Sequence, residues 1–127
     1  MDWKENKQLE KNHHFLQSLY HAVMGIVTVY KEERNMRYHT ALGIIPLVLA
    51  YWYQVTTVEW LMILLCIFCV VIMEFVNTIV ENIVDLLVEH QYHVLAKKAK
   101  DIAAGAVLVA AVFALIVAAI IFLPKMF

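Results

Sequence analysis

Glu74-Phe75-Val76-Asn77-Thr78-Ile79-Val80-Glu81-Asn82-Ile83-Val84-Asp85 follows without a break on an apolar run over residues 60–73. At about 100° per residue, Glu74, Glu81 and Asp85 fall within roughly 40° of one another on a helix, and Asn77 lies about 60° to one side. An acidic stripe thus continues the helix that a membrane-grade apolar run begins. Ionised groups at membrane depth are costly and mark functional sites. No Lys or Arg lies inside an apolar run to neutralise them. The compensating charge must come from a cation, from a neighbouring loop or from another subunit.

The chain around this stretch is 63% hydrophobic with a mean hydropathy of +0.71, well above a soluble domain. It reads as an all-α integral membrane protein. With 127 residues there is room for one small bundle, a single domain over 1–127, and none for a separate nucleotide-binding domain of common size. Residues 1–12 read as a flexible polar tail without the apolar core of a signal peptide. Over 13–33, Phe15, Leu19, Ala22, Val23, Ile26 and Tyr30 recur at spacings of three and four. That pattern suits an amphipathic helix in the membrane surface; a helix packed wholly on protein stays open. Residues 31–39 form a charged hinge.

The first span covers 40–57 and ends in the aromatic belt Tyr51, Trp52 and Tyr53. The link to the second span, 58–88, is short, so the two are antiparallel neighbours. Counting about 20 residues from Trp60 reaches Ile79. Glu74 then lies roughly 8 Å beneath the far surface, with Glu81 at that surface. A connector over 89–101 leads to the third span, 101–123, where Ala106, Ala110, Ala114 and Ala118 form a small-residue ridge for helix packing. Cys66 and Cys69 read as small apolar packing residues. Lys and Arg cluster before the first span and between the second and third. The positive-inside rule therefore places the N-terminus in the cytoplasm and the C-terminus outside.

The polar clusters at 33–39, 74–85 and 93–101 then converge on the cytoplasmic face. Carboxylates with few basic neighbours bind Mg²⁺, which takes one or two of them plus phosphate oxygens. Lys100 could meet a phosphate as a point charge. A deeper, poorly hydrated carboxylate can take a proton from an alcohol. Phosphoryl transfer needs positioning and charge stabilisation more than covalent work by the protein. Intramembrane acids also serve small proton- or cation-coupled transporters, so on spacing alone the two classes stand level. A structural membrane subunit is the bland third reading. Nothing points to nucleic acid. His13, His14, His39 and His90 read as surface or interface residues.

Three motifs carry a resemblance. They are Glu74-x-x-Asn77-Thr78-x-x-Glu81-x-x-x-Asp85; Tyr92-His93-x-Leu95-Ala96-x-x-Ala99-Lys100-Asp101-x-Ala103-Ala104-Gly105; and Lys31-Glu32-Glu33-Arg34-Asn35-Met36-Arg37-x-His39. The sequence resembles the small prokaryotic diacylglycerol kinase and undecaprenol kinase family from about residue 15 to its end. The resemblance implies a homotrimer in the bacterial plasma membrane, with a surface helix, three membrane helices and active sites between subunits. It implies that Glu74 is the general base for a lipid alcohol and that Glu33 and Glu81 are Mg²⁺ ligands. It places His21, Glu33, Asn77, Glu81, Tyr92, His93, Lys100 and Asp101 at ATP. His21 stands where Gram-negative members carry Tyr. The Glu-Glu-Arg-Asn-Met-Arg hinge and the run around Lys100 look like the Gram-positive branch, which implies undecaprenol as substrate, with diacylglycerol as the alternative.

Overall fold

A computed structural model describes residues 3–127. All regular structure in them is helical: α1 (Trp3–Glu32), α2 (Arg34–Trp52), α3 (Thr57–Val88) and α4 (Val94–Met126). The chain divides into two compact units, one ending at Glu33 and the other Arg34–Phe127.

The first unit is α1. Residues 3–12, expected as a flexible tail, are its first turns; residues 1 and 2 lie outside the described residues. Lys, Glu, Gln and Leu are good helix formers, and the Lys7 ammonium sits 4.9 Å from the centre of the Trp3 ring one turn below, a cation–π contact. Phe15, Leu19, Val23 and Ile26 are exposed, and so are Gln17, Ser18, His21 and Thr28.

The second unit is built on α3, which packs against both α2 and α4. Thr56 caps α3: its hydroxyl accepts from the Glu59 N–H at 3.3 Å, and the Glu59 carboxylate accepts from the Thr56 N–H at 2.8 Å. This reciprocal pair satisfies two backbone donors that a helix start leaves open. Helix α3 ends at Glu89, in the left-handed region at φ 50°. Helix α4 starts at Val94 rather than at 101, because His93 caps it by accepting from the Leu95 N–H. Likewise the charged hinge is reduced to one non-helical residue, Glu33, and the first apolar helix starts at Arg34. Arg and Met are good helix formers and continue inward from the apolar segment.

Ion pairs stand at both ends of the antiparallel α3–α4 pair. Lys125 meets Glu59 at 2.8 Å at one end, and Lys100 meets Asp85 at the other. Between them, Ala50, Val55, Ile63, Cys66, Val117, Ile121 and Phe122 form an apolar core near the α2–α3 turn. Cys69 is exposed. Helix α2 comes close to α3 at Gly43, where an added Cβ would lie 3.3 Å from Cγ2 of Ile67. Gly43→Val should therefore force the two helices apart. The expected loss is about 1–3 kcal/mol, visible as a lowered midpoint of thermal unfolding in detergent.

Two helices, α3 and α4, are long and apolar enough to cross a membrane, and only 33% and 17% of their most apolar windows are buried. Leu61, Leu65, Phe68, Ile72, Leu108 and Leu115 all face outward. Core helices of soluble proteins do not leave such residues in water.

Candidate active site

The acidic stripe divides among three different environments. Glu74, the deepest, is 2% exposed. His39 reaches it from α2, with Nε2 3.1 Å from Oε1 of Glu74. One turn on, the Thr78 hydroxyl donates to the Glu74 backbone carbonyl at 2.9 Å, so its polar group is satisfied without competing for the carboxylate. Asn77 is also buried. Its Nδ2 donates to Oε1 of Glu81 at 3.3 Å, while its Oδ1 is buried and makes no hydrogen bond among the described residues. Glu81 is half-buried. Asp85, outermost of the three, pairs with Lys100 of α4, and its other oxygen lies 3.9 Å from Nδ1 of His90.

A hollow of about 480 Å³ opens at the α3–α4 turn, with Asp85, His90, Tyr92, His93, Lys100 and Asp101 in its lining. Four residues expected at ATP, namely Tyr92, His93, Lys100 and Asp101, thus share one concavity. Lys100 is engaged by Asp85 there, and Asp101 by Lys97. Asn77 and Glu81 form a pair of their own. His21 is exposed on α1 beside Tyr20, and Glu33 follows α1, its N–H donating to the Val29 carbonyl. Both belong to the first unit.

A second cavity, about 420 Å³, runs along α2, α3 and α4. Leu42, Pro46, Ile67, Val70 and Leu115 are among its lining residues, and His39 is the one polar side chain there. Glu74 lies one turn beyond Val70 on α3. An apolar groove therefore runs toward the most buried carboxylate.

His39 is the residue that the sequence reading missed, having placed it at a surface or interface. A signal existed. The α2–α3 turn spans residues 53–56, so equal distances from it set residue 39 level with about residue 70 on α3. Side chains tilt toward their own helix N-terminus, so His39 leans away from the turn and Glu74 leans back toward it.

Comparison with known proteins places the chain in a family. Residues 20–122 match the prokaryotic diacylglycerol kinase family. The chain is 38% identical over 126 residues to the undecaprenol kinase of Bacillus subtilis, covering 99% of this chain and 100% of that protein. The chain belongs to the prokaryotic diacylglycerol kinase family. It is also 38% identical over 111 residues to a diacylglycerol kinase of Synechocystis, covering 87% of this chain and 63% of that protein. A diacylglycerol kinase of Helicobacter pylori is 30% identical over 92 residues, or 72% of this chain and 71% of that one.

Membership in the diacylglycerol kinase family makes the chain a lipid kinase that transfers a phosphoryl group from ATP. Together with the two apolar helices it makes the chain a membrane protein. Glu81 offers one half-buried carboxylate, one of whose oxygens accepts from Asn77, and no group of three or more His, Cys, Asp or Glu side chains that could hold a metal gathers among the described residues. Mg²⁺ in nucleotide sites takes carboxylates in small number and completes its shell with phosphate and water.

Proposed function

We propose that this protein is an undecaprenol kinase, working as a homotrimer at the cytoplasmic surface of the bacterial plasma membrane. In this reading α2, α3 and α4 span the membrane, α1 lies in its surface, the N-terminus is cytoplasmic and the C-terminus is outside. Glu74 is the general base. Its burial beside His39, which lines the apolar groove, is the observation that carries the reading. A long-chain alcohol lying in that groove would bring its hydroxyl to the carboxylate and leave its chain in apolar surroundings.

The transfer is a single displacement. The alcohol O–H bond breaks and the proton passes to Glu74. The oxygen's electron pair forms the bond to the γ-phosphorus, and the bond to the ADP oxygen breaks. Glu33 and Glu81 would hold Mg²⁺, which when bound supplies charge stabilisation to the triphosphate. Asn77 orients the reacting groups. Lys100 and Asp101, with Tyr92 and His93, contact the nucleotide, and His21 is assigned to ATP by the family resemblance alone. The identity to the Bacillus protein over nearly the full chain favours undecaprenol. The Synechocystis and Helicobacter relatives favour diacylglycerol as the second reading.

The test is a competition assay with protein reconstituted in vesicles and labelled ATP. Phosphate should pass to undecaprenol in preference to diacylglycerol when both are present. Preference for diacylglycerol would install the second reading. ATP consumption that does not depend on added alcohol would remove both.

A further inference from the structure

Glu74 needs more than burial to work as a base. A carboxylate withdrawn from water is costly unless hydrogen bonds replace its hydration, and proton transfer is efficient only when the accepting oxygen is aimed at the hydroxyl. The structure supplies one such constraint from a different helix. His39 places Nε2 3.1 Å from Oε1 of Glu74. The ionised carboxylate is acceptor-only, so the imidazole is the donor. The same ring lines the apolar groove. His39 therefore touches both the carboxylate and the space from which a lipid hydroxyl arrives.

We propose that His39 is a positioning residue for phosphoryl transfer, its Nε2–H holding the Glu74 carboxylate in the plane that receives the alcohol proton. The proposal rests on Glu74 as the base. His39 neither gains nor loses a proton in the step. The proton moves from the alcohol to Glu74, and the imidazole bond at Oε1 fixes the carboxylate while it does. Geometry also limits which replacements can serve. The side-chain amide nitrogen of Gln reaches the place of Nε2, that of Asn reaches only the place of Nδ1, and Phe fills the ring's volume without a donor.

The experiment compares His39→Gln, His39→Asn and His39→Phe in vesicles, with initial rates measured over ranges of ATP and of the long-chain alcohol. For His39→Phe, kcat should fall roughly ten- to a hundred-fold, the size of a lost hydrogen bond to a charged group. The KM for ATP should stay within about twofold, because the loss falls on the reacting geometry and not on nucleotide binding. His39→Asn should resemble His39→Phe, and His39→Gln should recover most of the rate. Should His39→Phe fail to assemble, the near-isosteric Asn and Gln variants carry the comparison alone. Equal rates for Gln and Asn would overturn the proposal, because packing would then account for the residue. So would a His39→Phe rate equal to wild type in the same preparation in which Glu74→Gln is inactive. Wild-type turnover in Glu74→Gln would instead remove the base itself.

Discussion

Glu74→Gln is expected to lose about 10²- to 10⁴-fold in phosphorylated lipid per unit time, the usual contribution of a positioned general base. The substitution keeps volume and an acceptor oxygen for His39, so the bond across α2 and α3 can survive. The protein should still elute as the wild-type assembly and still bind nucleotide. The rate loss should fall on kcat, because proton removal belongs to the transition state. Activity close to wild type would mean that another group takes the proton. A variant that failed to assemble would support a structural role for the acid, and the His39 variants would then separate the two explanations.

Glu81→Ala carries the second large effect. The half-buried carboxylate accepts from Asn77, and its removal takes away a proposed metal oxygen together with the group that orients the amide. The Mg²⁺ concentration for half-maximal rate should rise by roughly tenfold or more, as losses at metal sites generally do, and added Mg²⁺ should restore part of the rate. Glu33→Ala should behave the same way if both carboxylates share the ion. The measurement is initial rate against free Mg²⁺ at fixed ATP. An unchanged Mg²⁺ midpoint in both variants would remove them as ligands.

The acidic stripe was visible in the sequence because a period of 3.6 residues decides which side chains share a helix face. Counting along the span also set Glu74 deeper than Glu81. What the three acids touch was not legible. They differ in the partner that each finds: His39 for Glu74, Asn77 for Glu81, Lys100 for Asp85. Two of those partners sit on other helices. No Lys or Arg lies inside an apolar run; Lys100 enters from the first turns of α4 and His39 from the start of α2. Helix ends were the weaker part. Residues 3–12, 34–39 and 94–100 are helical because good helix formers, a histidine cap and neighbouring turns extend the helices into charged sequence, where hydropathy gives no signal.

The sequence by itself determined an apolar all-helical chain, the antiparallel turn between α2 and α3, and the set of carboxylates and amide on one face of α3. These follow from composition and spacing along a single element, and both are local properties. Tertiary structure alone decided that an imidazole from α2 lies 3.1 Å from the deepest acid and that the same ring lines an apolar groove. Those facts depend on the register and approach of three helices. The close contact at Gly43 and the ion pairs at the two ends of α3 and α4 set that register, and none of these contacts is a neighbour in sequence.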